Sequence, residues 1–134
     1  MTFTCPIYFT RGKRKPKTSL CGMNQHNSMH FHERNAMKAY LEAALKPQLS
    51  SLGPIIGPYT VHYSLYYKNS SCDGSNIVAL VEKSFLDILQ KSSLTREDNV
   101  KHHLGSTWSV AGQDKINPRM EITIKESHET HSIS

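Results

Sequence analysis

Residues 59–91 read YTVHYSLYYKNSSCDGSNIVALVEKSFLDILQK, and the change of period inside this stretch decides the fold. From Tyr59 to Lys68 apolar and polar residues alternate. Val61, Tyr63, Leu65 and Tyr67 face one way, and Thr60, His62, Ser64 and Tyr66 face the other, the pattern of a strand with one buried face. Residues 69–74 are turn-forming. From about Ser75 to Lys91 the period becomes helical: Ile77, Val78, Val81, Phe85, Ile88 and Leu89 fall on one stripe. A strand followed by an amphipathic helix calls for a layered α/β arrangement.

Working outward, Glu33 opens a second helical pattern with Met37, Tyr40, Leu41, Ala44 and Leu45 on one stripe, limited near Pro47 apart from a frayed last turn. Residues 52–58 (LGPIIGP) form a connector. Thr4–Phe9 reads as a short strand that Pro6 places at a sheet edge or at the strand's start. Residues 18–32 are polar and irregular. On the far side, residues 92–99 connect to a strand over Val100–Ala111, a turn at 112–118, an alternating strand over Arg119–Lys125, and a polar, frayed tail over 126–134. The predicted order is β-α-β-α-β-β: one α/β (α+β) domain spanning residues 1–134, with a mixed four-stranded sheet and two helices on one face.

With 134 residues, 37% of them hydrophobic and 20% charged, the chain suits one soluble globular domain. The net charge of +5 points to polyanionic partners. The longest apolar run, Ile77–Val81, is far too short to cross a bilayer, and no secretory signal is evident, so no membrane association and a cytoplasmic location are expected. Cys5, Cys21 and Cys72 are odd in number and lack a C-x-x-C pair, which argues for free thiols and against a thiolate zinc site.

The basic residues concentrate in residues 11–17 (RGKRKPK), a loop in which Arg11, Lys13, Arg14, Lys15 and Lys17 can contact phosphates; Arg34 and Lys38, four apart on the first helix, extend the patch. Tyr66 is a candidate for stacking on unpaired bases, whereas Tyr67 falls on the apolar face. His26, His30 and His32 lack the accompanying cysteines or carboxylates of a zinc site.

The chain has 11 acidic residues, and those with chemical interest are Asp73, Glu82, Asp87, Glu97 and Asp98, with Lys83 among them. Asn76, Lys83 and Asp87 share one polar stripe of the second helix. Carboxylates with a lysine suit phosphodiester hydrolysis, in which a hard metal ion activates water and offsets phosphoryl charge. Simpler readings stand beside this one. Asp73 is also a helix cap, Lys83 and Asp87 an ordinary i,i+4 pair, and Thr95-x-x-Asp98 a capping-box variant.

Read continuously, residues 73–99 (DGSNIVALVEKSFLDILQKSSLTREDN) resemble the central motif of the RusA-type Holliday-junction resolvases of bacteriophages. That motif has an aspartate, an asparagine soon after, a helix with Lys-x-x-x-Asp, and an acidic pair eleven residues beyond. Residues 24–38 and 117–124 extend the similarity. The resemblance implies a dimeric, magnesium-dependent endonuclease (manganese substituting) that nicks paired strands of four-way junctions and other branched DNA. It implies Asp73 and Asp98 as metal ligands, Lys83 as the catalytic lysine, and Asp87 as a further carboxylate of the site or the metal. Asn24 and Asn76 are then expected at the DNA. Two departures are visible. Ser75 stands where the family carries a second aspartate, and the step from Asn76 to Lys83 is about one helical turn longer. A DNA-binding module of the same fold, without cleavage, is the alternative.

Overall fold

A computed structural model describes residues 2–11, 14–53, 55, 58–92 and 103–126. The elements are β1 (Thr2–Pro6), β2 (Tyr8–Arg11), β3 (Lys17–Leu20), α1 (Met23–Ser28), α2 (Phe31–Leu49), β4 (Tyr59–Tyr67), α3 (Gly74–Lys91), β5 (His103–Gln113) and β6 (Arg119–Glu126). The mixed four-stranded sheet runs β1-β6-β4-β5, with β4 and β5 parallel and the other neighbours antiparallel. The α+β class and the mixed sheet therefore stand as expected.

The alternation in β4 produces this sheet. Tyr59, Val61, Tyr63 and Leu65 are buried beside Met120 and Ile122 of β6 and Phe3 and Cys5 of β1. From the other layer come Met37, Leu41, Leu45 and Leu49 of α2, and Ile77, Val81, Phe85, Ile88 and Leu89 of α3. Phe3 and Phe85 meet with ring centroids 5.7 Å apart. Burying such side chains stabilises by roughly 1.5–3 kcal/mol each. The opposite sheet face is polar: His62 bonds the hydroxyls of Thr107 (2.7 Å) and Ser109 (3.0 Å) on β5, and Arg119 lies 3.9 Å over the Tyr66 ring.

Two elements in the polar stretch go beyond the sequence expectation. Among the described residues of the basic run, Arg11 ends β2 and Lys17 opens β3 of an antiparallel hairpin, with Arg11 opposite Lys17 and Tyr8 opposite Leu20. Residues 23–28, expected to be irregular, form α1. Helix α2 also begins earlier than expected, at Phe31, and runs through Pro47 to Leu49.

Pro47 lies in the last turn, two residues before the helix ends, and Gln48 follows it with a specific task. Its Nε2 donates to the carbonyls of Ala44 (2.8 Å) and Thr4 (2.6 Å), and its Oε1 accepts from the Thr4 backbone N–H (2.7 Å). One amide side chain thereby pairs with the outer edge of β1 as a neighbouring strand would.

Candidate nucleic-acid interface and carboxylate site

Asp73 caps α3. Its Oδ1 accepts from the Asn76 backbone N–H (3.4 Å) and from the Ser75 hydroxyl (2.8 Å). Ser75 therefore holds Asp73 in position. The Oδ2 atom of the exposed Asp73 has no such bond among the described residues. Helix N-termini favour negative charge through their unpaired N–H groups and dipole, which suits both this carboxylate and a phosphate beside it.

The surroundings of Asp73 are tightly built. A Cβ on Gly74 would lie 2.6 Å from the Trp108 ring, so a larger residue there requires the exposed indole to move. Asn76 is 8% exposed and turned inward. Its Oδ1 accepts from the Asn24 backbone N–H (2.7 Å), and its Nδ2 donates to Gln25 Oε1 (2.8 Å). These bonds pin α1 onto α3 across Gly22, whose missing side chain leaves the space that the Asn76 amide fills. The expected DNA contact by Asn76 is corrected to a structural role, because its amide is engaged within the protein. Asn24 is exposed and supplies its backbone to that bond.

The base of the hairpin meets the same corner. Lys68 Nζ lies 5.8 Å over the Tyr8 ring, the Cys21 N–H donates to the Ile7 carbonyl (2.7 Å), and α1 continues directly from β3. Tyr8 has its phenol pKa raised by burial and by the nearby Cys72. Arg14, Lys15 and Lys17 are exposed towards the hairpin tip; Arg11 ends β2, and Lys13 lies outside the described residues.

The remaining acidic candidates disperse. At about 1.5 Å per residue, Asp87 is about 20 Å along α3 from Asp73 and Lys83 about 15 Å. Asp73 and Asp87 therefore do not share one ion, which corrects the expected three-carboxylate set. Asp87 instead pairs with Lys38 of α2 at 3.3 Å, replacing the simpler Lys83–Asp87 pairing as well. Lys91 and Glu42 make a second α2–α3 ion pair at 3.1 Å. Glu97 and Asp98 lie outside the described residues.

Among the described residues no three His, Cys, Asp or Glu side chains converge as a metal cluster. Asp73 offers one carboxylate oxygen, and magnesium commonly takes one or two protein carboxylates, completing its shell with water and phosphate. The donor chemistry at Asp73 thus fits such an ion with a phosphate present. His30 and His32 stack on each other at 5.3 Å at the start of α2, while His26 turns towards a different cavity.

That cavity, of about 240 Å³, lies where α1, α2 and α3 meet, lined by Arg34, Lys38 and Lys83 among others. In the sequence these cations have two separate roles, and the i,i+3,i+4,i+7 spacing shows the shared face of each helix but not that the two faces meet in one groove. Among the described residues, no helix is long and apolar enough to cross a membrane. No protein-family model matches this chain, and no curated protein matches it.

Proposed function

We propose that the chain is a metal-dependent endonuclease of branched DNA, of the RusA type that residues 73–99 resemble, working as a homodimer in the cytoplasm. The observation that carries this reading is the placement of Asp73: an exposed carboxylate at a helix N-terminus, next to Cys72 at the base of a hairpin carrying the exposed Arg14, Lys15 and Lys17. The hairpin and the α3 N-terminus draw in the sugar-phosphate backbone, and Asp73, with Asp98 as the resemblance implies, would hold a magnesium or manganese ion there. The bound metal would supply an activated water and offset charge on the phosphoryl oxygens. Ser75 orients Asp73 through its hydroxyl. Two copies related by a two-fold axis match the two-fold symmetry of a four-way junction.

The test is cleavage of a labelled four-way junction and a linear duplex, with and without Mg²⁺, by the wild type and Asp73→Asn. Paired nicks in the junction that need metal and vanish in the variant support the reading. Tight junction binding with no cleavage in Mg²⁺ or Mn²⁺ supports a second reading, a binding module of the same fold. Two observations favour that second reading: Ser75 replaces a carboxylate, and Lys83 lies about 15 Å along α3 from Asp73.

A further inference from the structure

On α2, Phe31, Arg34, Asn35 and Lys38 recur at i, i+3, i+4 and i+7. On α3, Leu80, Lys83, Ser84 and Asp87 repeat the same spacing. Such residues share one helix face, and all but Asp87 line one cavity, closed at its other end by His26 of α1. Its floor is Leu80 and Ser84, both buried.

The charge in this cavity is unbalanced. Arg34, Lys38 and Lys83 line it with no carboxylate among its described lining residues, and Asp87, next along α3, pairs with Lys38. The Arg34 Nε is buried, yet finds no hydrogen-bond partner among the described residues, and His26 Nδ1 is in the same condition. Leaving a buried guanidinium N–H unmade is costly unless an acceptor arrives. The field is registered by His26, whose pKa is lowered, first by burial and then by Lys83, Arg34 and Lys38, against a raising contribution from Asn27. At the rim, Phe31 is 58% exposed, with its ring edge-on to His32 at 5.5 Å.

We propose that this cavity is a second nucleic-acid site, separate from Asp73, which takes one backbone phosphate of an unpaired DNA segment on Arg34, Lys38 and Lys83 and stacks the adjoining base on Phe31. Arg34 presents a planar fork to phosphate oxygens, and the two lysines add point charge. Base stacking on an exposed aromatic ring tolerates any sequence. Branched DNA offers unpaired or splayed nucleotides near its crossover, and a site of this kind would anchor one of them at a fixed distance from Asp73. The proposal rests on the nucleic-acid part of the function given above, but not on cleavage.

The test is metal-free. The side-chain Nε–H signal of Arg34 is followed by ¹H–¹⁵N NMR during titration with inorganic phosphate, thymidine, thymidine 5′-monophosphate and hexathymidylate. Saturable shifts are expected with phosphate and the nucleotides but not with thymidine. The monophosphate should bind about tenfold tighter than phosphate because of stacking, and the hexamer tighter again. Lys83→Gln should weaken every phosphate-bearing ligand. Phe31→Ala should remove only the advantage of nucleotide over phosphate. Both side chains are exposed, and unchanged dispersion of the backbone spectrum confirms that the variants fold. No shift at Arg34, or shifts indifferent to Lys83→Gln, would overturn the site. Tighter binding of the monophosphate than of the hexamer would overturn its assignment to a DNA strand in favour of a free nucleotide. Loss of junction cleavage in Asp73→Asn leaves these shifts unchanged, so the two proposals fail separately.

Discussion

Asp73 serves two roles that asparagine separates. Asparagine caps a helix as well as aspartate does, but carries no charge for a metal. Asp73→Asn is expected to keep the melting temperature and to lower metal-dependent cleavage at least about 100-fold, read in a junction-nicking assay. Asp73→Ala should in addition cost about 1 kcal/mol of stability in denaturant unfolding. In the sequence, Asp73 was legible both as a cap and as a ligand; the cap is now visible, and it is compatible with the ligand. Asn76 was not legible as a buried residue, because its partners lie 51 and 52 positions away in a segment without apolar periodicity. The cysteines follow burial. Burial pushes the Cys21 thiol up to about 12, and burial together with Cys21 raises Cys5. The Cys72 thiol is raised too, by burial first, but it is only half-buried. Since the thiolate is the reactive form, iodoacetamide at pH 8 should label Cys72 first. Cys5 and Cys21 should react only on unfolding, as mass spectrometry would show.

At the scale of elements, long periodic segments were legible and short polar ones were not. Strand β4 and helix α3 announce themselves by alternation and by a stripe, since each buries one continuous face. Strand β3 (KTSL) has no fully buried residue, and α1 (MNQHNS) has none either; backbone pairing with β2 holds the first, and Asn76 holds the second. Tyr40, expected on the buried stripe of α2, is 40% exposed and rests against Phe9 at 5.3 Å, at the base of a hairpin the sequence did not announce. The Gln48 link between α2 and β1 predicts that Gln48→Ala destabilises by about 1–2 kcal/mol in urea unfolding, because three bonds are lost and two belong to a strand edge. Gly74→Ala should cost about 1–3 kcal/mol through collision with Trp108, and Trp108→Ala in the same chain should relieve that collision.

For the whole molecule, the net charge of +5 is a prior for polyanions, and its layout gives the more specific statement. One group of cations tips the hairpin, and another lines the α2–α3 groove. Phosphate contacts release counterions, so replacing Arg14, Lys15 and Lys17 by glutamine should lower the slope of log K against log salt by about 2.7 for duplex DNA, measured by fluorescence anisotropy. The sequence could name these residues, but not divide them between two sites, because the division depends on how α2 crosses α3.

The two margins of the sheet are unequal. On β1, Thr4 has both backbone groups taken by Gln48, and Pro6 has no N–H to offer. On the other margin β5 runs for 11 residues without a formal charge, with Leu104, Trp108 and Val110 exposed, and no described strand pairs with its outer side. Among the described residues, the four-stranded sheet therefore offers strand addition at one margin. A second copy joining through β5 would use up that margin of each four-stranded sheet, so such an assembly ends at a closed pair, and head-to-tail stacking of these sheets, margin on margin, finds no second docking point among the described strands.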